Sequence, residues 1–290
     1  MTANQLIGFA INASMFLIVF AVGLQTTMKE ATYLLERPGL LVRSLVSMNI
    51  IMVIVALGLI AIFNPAPEIK IALVALALSP VPPILPTTQE RAGGSHGYTM
   101  GLLLSASIAA VVLVPAGLWL LDVLFSQQMQ VSPANVAGIV VISIIVPAVL
   151  GILVNTLMPA LAARLARPIS LLAMLVLVVA VIPVIFATWP LLGSFIGNGL
   201  FVGLIGFTLI GLLVGHFLGG PDPDERTVLA LATSTRHPGV AITIASLNFP
   251  DFKGVLVVVL YHLLFGAITN IPYVKWRTRQ HAAAHKGAVR

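Results

Sequence analysis

The chain has 290 residues, 59% of them hydrophobic and 8% charged, with a mean hydropathy of +1.08. A soluble domain carries about 25% charged residues, so this composition excludes an ordinary soluble protein and indicates an integral membrane one. The formal charge of +6 follows membrane topology rather than a nucleic-acid surface, and the absence of cysteine excludes disulfides and thiolate metal sites.

No stretch alternates with period two, so the chain reads as an all-α polytopic membrane protein and not as a β-barrel. A span needs about 20 mostly apolar residues. Nine stretches qualify, at approximately 5–25, 39–63, 70–86, 98–121, 133–157, 169–188, 196–218, 227–249 and 253–273, followed by a basic tail at 274–290. No positive charge precedes the first stretch, so no cleaved leader is expected. The positive-inside rule sets the orientation. With the N-terminus outside, twelve basic residues fall inside, and only Lys70 and Lys253 fall outside. The fifteenth basic residue, Arg236, lies within a span. Short loops point to a bacterial inner membrane.

In chain order, the first polar residues inside spans are Asn12, Ser14 and Asn49. Such side chains either hold helices together, at about 0.6 kcal/mol each on average, or touch a substrate. The third span is broken at Ser79-Pro80-Val81-Pro82-Pro83-Ile84-Leu85-Pro86. Directly after it, Thr87-Thr88-Gln89-Glu90 fits a capping box, with Thr87 at the N-cap and Glu90 at the third helical position. Glu90, Arg91 and His96 then form a polar inner segment, read either as a gate or as a solvated connection. In the seventh span, Gly203, Gly206, Gly211 and Gly215 make a small-residue seam that allows close helix approach. Asp222, Asp224 and Glu225 suit a helix start, where carboxylates complement the dipole. His216 and His262 read as packing residues, and Lys275 to Arg290 as a cytoplasmic anchor meeting anionic lipid.

The eighth span is broken at Thr233-Ser234-Thr235-Arg236-His237-Pro238-Gly239. Proline removes a donor and clashes with the preceding turn, and it suits the first position of a new helix. Broken backbone inside a bilayer persists only where protein or water covers it. The third and eighth spans cross in opposite directions and are broken at similar depth, as an inverted repeat pairing spans 1–4 with spans 6–9 requires. Two half-helix N-termini meeting at mid-membrane favour an anion. Arg236, which costs about 2.5–3.5 kcal/mol at a span centre, is read as a fixed charge for substrate or as the partner of Glu90 in an internal ion pair. His237 is read as a titratable group linking transport to protons or as the cap of the second half-helix.

Around these breaks the chain resembles the bile acid:sodium symporter family, whose fold is shared with arsenite and auxin carriers. The resemblance is carried by Val22-Gly23-Leu24-Gln25-Thr26-Thr27, Arg37-Pro38-Gly39, Ser79-Pro80, the following span with Pro115, and Arg226-Thr227-Val228 through Arg236-His237-Pro238-Gly239. It implies two broken helices crossing at the centre, and panel and core domains that move against each other to carry an organic anion with sodium. This chain departs from the family where sodium binds. A Glu and a Gln-Asn-Ser-Gly run are replaced by Ala232 and by Arg236-His237-Pro238-Gly239, and a ligand Gln falls at about Met48, beside Asn49. Thr99 and Ser107 are the hydroxyls left as sodium candidates.

The expected function is therefore secondary transport of a small organic anion by alternating access, with the sodium ligands largely replaced. Its expected substrate contacts are Arg236, His237, Thr235, Ser234, Asn12, Asn49, Thr87 and Thr88. Proton-linked or facilitated carriage, and a non-transporting sensor of the same fold, are the alternatives. No cofactor, no nucleic-acid partner and no enzymatic activity are expected, because no nucleophile with a base nearby in sequence, no metal-ligand spacing and no phosphate loop is present.

Overall fold

A computed structural model describes residues 3–82, 84–125, 133–195, 198–252 and 254–288. Pro83 of the first break, Lys253 and Arg290 lie outside the described residues. The long apolar runs form helices, and among the described residues there is no strand. The first half contains α1 (Ala3–Gly23), the single turn α2 (Met28–Ala31), α3 (Pro38–Leu45) and α4 (Met52–Phe63). A π-helical turn, Val46–Ile51, joins α3 to α4 in one continuous rod. Then come α5 (Pro67–Leu78), α6 (Leu85–Arg91) and α7 (His96–Phe125). The second half contains α8 (Pro133–Val140), a second π turn (Val141–Ile145), α9 (Val146–Leu157), α10 (Pro159–Phe195) and α11 (Leu200–Leu218). It closes with α12 (Pro223–Ser234), α13 (Pro238–Asn248) and α14 (Gly254–Ala288).

Seven of these rods are long and apolar enough to cross a membrane. The remaining two hydrophobic segments are each split. α5 and α6 have 12 and 7 residues, α12 and α13 have 12 and 11. At about 1.5 Å per residue none alone covers a hydrocarbon core of about 30 Å. Proline alone does not decide this outcome. Pro115, Pro168, Pro183, Pro190 and Pro272 sit inside continuous helices, whereas the splits fall where Pro80 and Pro82 occur close together and where Pro238 precedes Gly239.

The ends differ from the expected boundaries in two places. The sixth span is part of the 37-residue α10, which begins at Pro159 and carries Arg164 and Arg167 on exposed positions. The expected tail is not separate either, because α14 continues as helix through Lys275 to Ala288. The T-x-x-E motif at the first break does not cap its helix. α6 begins at Leu85, with Pro86 in its first turn, and Thr87 donates to the Ile84 carbonyl at 2.9 Å. Pro86 fits that first turn, where its missing N–H has no helical acceptor to lose. The same motif does form a capping box at Thr27-Met28-Lys29-Glu30: Glu30 N–H donates to Thr27 Oγ1 at 3.3 Å, and Thr27 N–H to Glu30 Oε2 at 2.7 Å.

α1 packs on α9 and α10. Gly23 and Gly151 let the first two touch: a Cβ on Gly23 would stand 2.6 Å from the Ala148 carbonyl oxygen. The other helices gather around the split pairs. α5 packs on α13 and α14, α6 on α12 and α7, and α11 on α12, α14 and α4. The glycine seam of α11 works against backbone at two of its positions, since Cβ atoms on Gly211 and Gly215 would lie 2.8 Å from Ser234 Cα and 2.6 Å from Ala230 Cα. Gly203 and Gly206 face the side chains of Leu73 and Leu59 instead. Large apolar side chains such as Phe186 (74% exposed) and Phe217 (78% exposed) cover the outside, the surface that lipid requires.

Candidate functional site

The two breaks meet. α5 stops at Leu78, and Ser79 turns into extended backbone with its hydroxyl donating to Leu76 O at 2.9 Å. α12 stops at Ser234, and Thr235 and His237 are likewise extended. From there the His237 N–H donates to the Pro80 carbonyl at 2.8 Å, a main-chain bond that joins one break to the other. His237 is also the N-cap of α13: its Nδ1 accepts from Val240 N–H at 3.4 Å, and Pro238 occupies the first turn. The capping reading of His237 is the one the geometry displays.

Arg236 is fully buried. Its guanidinium donates to Met48 O at 2.7 Å and to Ser79 O at 3.3 Å. Both acceptors follow from local structure. Ser79 lies just past the end of α5, where the last carbonyls have no helical donor and carry partial negative charge. Met48 lies in the π turn, which holds one residue more than an α-helical ladder can pair. Among the described residues no carboxylate stands within ion-pair distance of Arg236. The expected Glu90–Arg236 pair is not formed. Glu90 lies at the end of α6, 2.6 Å from His96 Nδ1, while Arg236 stays at the crossing. The physical reason is distance along the helix: α6 carries Glu90 away from the break, to where an exposed carboxylate stays hydrated.

A shell of neutral polar groups surrounds the crossing. Ser47 and Thr233 share a hydrogen bond of 2.7 Å. Asn270 of α14 accepts from Ser234 and donates to Thr235, both at 3.3 Å. Arg236 Nε and His237 Nε2 are buried without a partner, as are the hydroxyls of Thr99 and Ser107 on α7. Thr99 and Ser107 are eight residues apart on one helix and so share a face.

The structure therefore brings Arg236, His237, Ser234 and Thr235 together. Thr87 and Thr88 follow on the half-helix beyond the first break, with Thr87 bonded to its own backbone. Asn49 is half-buried and donates to Leu45 O at 3.2 Å, within its own helix. Asn12 is exposed on α1, which packs chiefly on α9 and α10 rather than on the split pairs. Sequence reasoning missed Ser47, Asn270 and the Met48 carbonyl. Asn270 had a readable signal, a lone amide in an apolar run. The Met48 carbonyl had none, because main-chain acceptors freed by a π turn leave no mark in residue type.

One end of the bundle carries a second polar cluster. Glu225 in the first turn of α12 accepts from Tyr33 at 3.0 Å and from Arg37 at 2.8 Å. Asp222 caps the same helix by accepting from Asp224 N–H at 2.8 Å, as its position predicts. His96 stands between Glu90, at 2.6 Å, and Glu30, at 3.9 Å.

Among curated proteins none matches this chain. The model of the Sodium Bile acid symporter family matches residues 13–188, which takes in the first break but stops before Arg236. That match spans more than half the chain, and the apolar rods around it are those of a multi-pass membrane protein; the chain belongs to the Sodium Bile acid symporter family, a family of membrane transporters.

Proposed function

We propose that the protein is a secondary transporter that carries a small organic anion by alternating access without sodium. In this reading each split pair is one interrupted crossing, so nine spans traverse the bilayer with the N-terminus outside. Spans 1–4 and 6–9 are inverted repeats. α1, α9 and α10 form the panel and the helices around the breaks form the core, as their mutual packing supports, with α8 packed on α7 of the core.

The observation that carries the reading is the Arg236 guanidinium, buried at the crossing, bonded to two main-chain carbonyls and, among the described residues, free of any carboxylate. Carbonyls of this kind are what a sodium ion takes as ligands, and here a fixed cation holds them. A second cation beside it is repelled. The crossing then has one unbalanced positive charge, and an anionic substrate supplies the balance. Two buried nitrogens with no partner fit this role. Arg236 Nε has no partner. His237 accepts at Nδ1, so the neutral ring carries its proton on Nε2, which is also unpartnered. Two buried N–H groups from consecutive residues suit one carboxylate. Asn270, Ser234 and Thr235 lie beside this pair, joined to one another by hydrogen bonds.

Proton-linked carriage is the second reading, favoured by His262 of α14, which is 1% exposed with both ring nitrogens unpartnered. Uptake of cholate, pantoate and pyruvate into proteoliposomes tests the first reading. We expect at least one to enter at the same rate with and without an inward sodium gradient. Arg236→Ala is expected to lower that rate by about a hundredfold, from loss of two to three charge-assisted bonds. Accumulation driven by the sodium gradient overturns the reading, as does unchanged uptake in Arg236→Ala. Accumulation driven by an inward proton gradient selects the second reading.

A further inference from the structure

The last helix does more than end the chain. Beyond its apolar stretch, α14 presents Val274, Arg277, Thr278 and His281 on one face, at spacings of three and four residues. Arg277 is only 4% exposed. Its guanidinium uses three nitrogens on three acceptors: Nε donates to Thr227 Oγ1 at 2.7 Å, one terminal nitrogen to Pro223 O at 2.6 Å, and the other to Gln280. Pro223 and Thr227 belong to the first turns of α12. The Thr278 hydroxyl is shared between Val274 O, at 2.9 Å in its own helix, and Arg91 O at 3.1 Å. Arg91 is the last residue of α6, where carbonyls have lost their helical donors. One turn further, His281 lies against Gly93, so closely that a Cβ there would stand 2.5 Å from its Cγ, and its Nδ1 is 3.4 Å from Asp224 of α12.

One helical face thus grips the outermost turns of both split pairs at the same end of the bundle. α6 and α12 also touch directly through Gln89, which donates to Val228 O at 2.7 Å. That bond lies beside Thr227 in the last turn of α6, and α14 adds the contacts to Arg91 O and Pro223 O at the ends themselves. We propose that the final turns of α14 are a latch of the transport cycle, with Arg277 as the positioning residue that keeps the ends of α6 and α12 moving as one body. Arginine is required there because three acceptors in fixed directions match a planar fork, and a lysine ammonium reaches them less well. The latch accounts for a buried cation in a segment whose sequence reads as a basic anchor meeting anionic lipid. Its role in transport rests on the function proposed above, whereas its existence does not.

The chain lacks cysteine, so spin labels can be placed without background changes. Arg91→Cys and Pro221→Cys put labels on exposed positions at the ends of α6 and α12. With Arg277 intact, the distance between labels is expected to be single and narrow. In Arg277→Gln it is expected to broaden, and uptake of the transported probe anion (cholate, pantoate or pyruvate) is expected to slow at least about tenfold at unchanged KM, since loss of even one of the three charge-assisted bonds implies that much. Arg277→Lys and Thr278→Val are expected to fall between, and they decide the matter if the glutamine variant does not fold. An unchanged distance in these variants overturns the latch. A broadened distance with unchanged uptake overturns its part in the cycle and leaves a structural brace. If the wild-type protein moves none of the three anions, the transporter reading is in difficulty, and the label distances alone still decide whether the latch exists.

Discussion

At the scale of single residues, buried charges in this protein are held by main chain more than by opposite charge. Arg236 and Arg277 both spend their donors on carbonyls and neutral side chains. Glu225 is the contrasting case. Its side chain is 11% exposed while that of its partner Arg37 is 51% exposed. Desolvation of Glu225 raises its pKa above the ordinary carboxylate value, Asp222 adds to the rise, and Arg37 opposes it without cancelling it. A raised carboxylate pKa means that the fold favours the protonated form. The resulting stability is full below the ordinary value and is lost as pH rises through the raised one. Glu225→Gln does not titrate. The melting temperature of wild type is therefore expected to fall relative to this variant as pH rises from the ordinary carboxylate value through the raised one, measured by thermal unfolding in detergent. A flat or rising difference shows that Arg37 dominates instead. Residue type made Arg236 conspicuous, since a guanidinium inside an apolar run demands an interior position. Its partner was not legible. Glu90 was suggested because it follows the other break, and the observed acceptors are two carbonyls that no residue name announces.

Among the elements, the seven long rods were legible because apolar length alone specifies a membrane-crossing helix, and the two splits because prolines cluster at the first and Pro238-Gly239 interrupts the second. Caps and ends were harder to read. The motif T-x-x-E occurs at Thr27-Met28-Lys29-Glu30 and at Thr87-Thr88-Gln89-Glu90. The first closes a capping box and the second does not, because the second helix starts at Leu85 with Pro86 in its first turn, which puts Thr87 inside it. Thr27→Ala is expected to cost about 0.5–2 kcal/mol of stability, the usual loss for an N-cap, though α2 is short and the lower part of that range applies. Thr87→Ala removes a bond to its own backbone and is expected to change stability by less than about 0.5 kcal/mol. Chemical denaturation of the two variants side by side checks this, and equal losses would refute the assignment. The C-terminal extension of α14 was hidden for a different reason. Its basic residues satisfy the positive-inside rule whether they are solvated or docked, and only a folded α12 and α6 supply the acceptors that bury Arg277.

Over the whole molecule, the charge distribution and the geometry agree on one polar end, where Arg37, Glu90, Glu225 and Arg277 meet. The proposed orientation places that end in the cytoplasm. Pro221→Cys lies there on an exposed position, and Asp251→Cys lies on an exposed position between α13 and α14 at the opposite end. In intact cells a membrane-impermeant maleimide is expected to modify the cysteine at 251 and to spare the one at 221 until the membrane is opened. The reverse pattern inverts the topology. Composition alone predicted that the outside of the bundle is apolar, and it is. Which helices turn their polar faces to one another depends on packing partners far apart in sequence, such as Asn270 with Ser234 and Thr235, and periodicity does not encode those.

The tie between His237 N–H and Pro80 O has a corollary for how such carriers diverge. Because the rivet that fastens the halves is peptide rather than side chain, point substitutions leave it in place, and alanine scanning will pass over it. The neighbouring side chains are then at liberty to change their chemistry, exchanging a captured ion for a tethered one, while the scaffold that presents them stays whole.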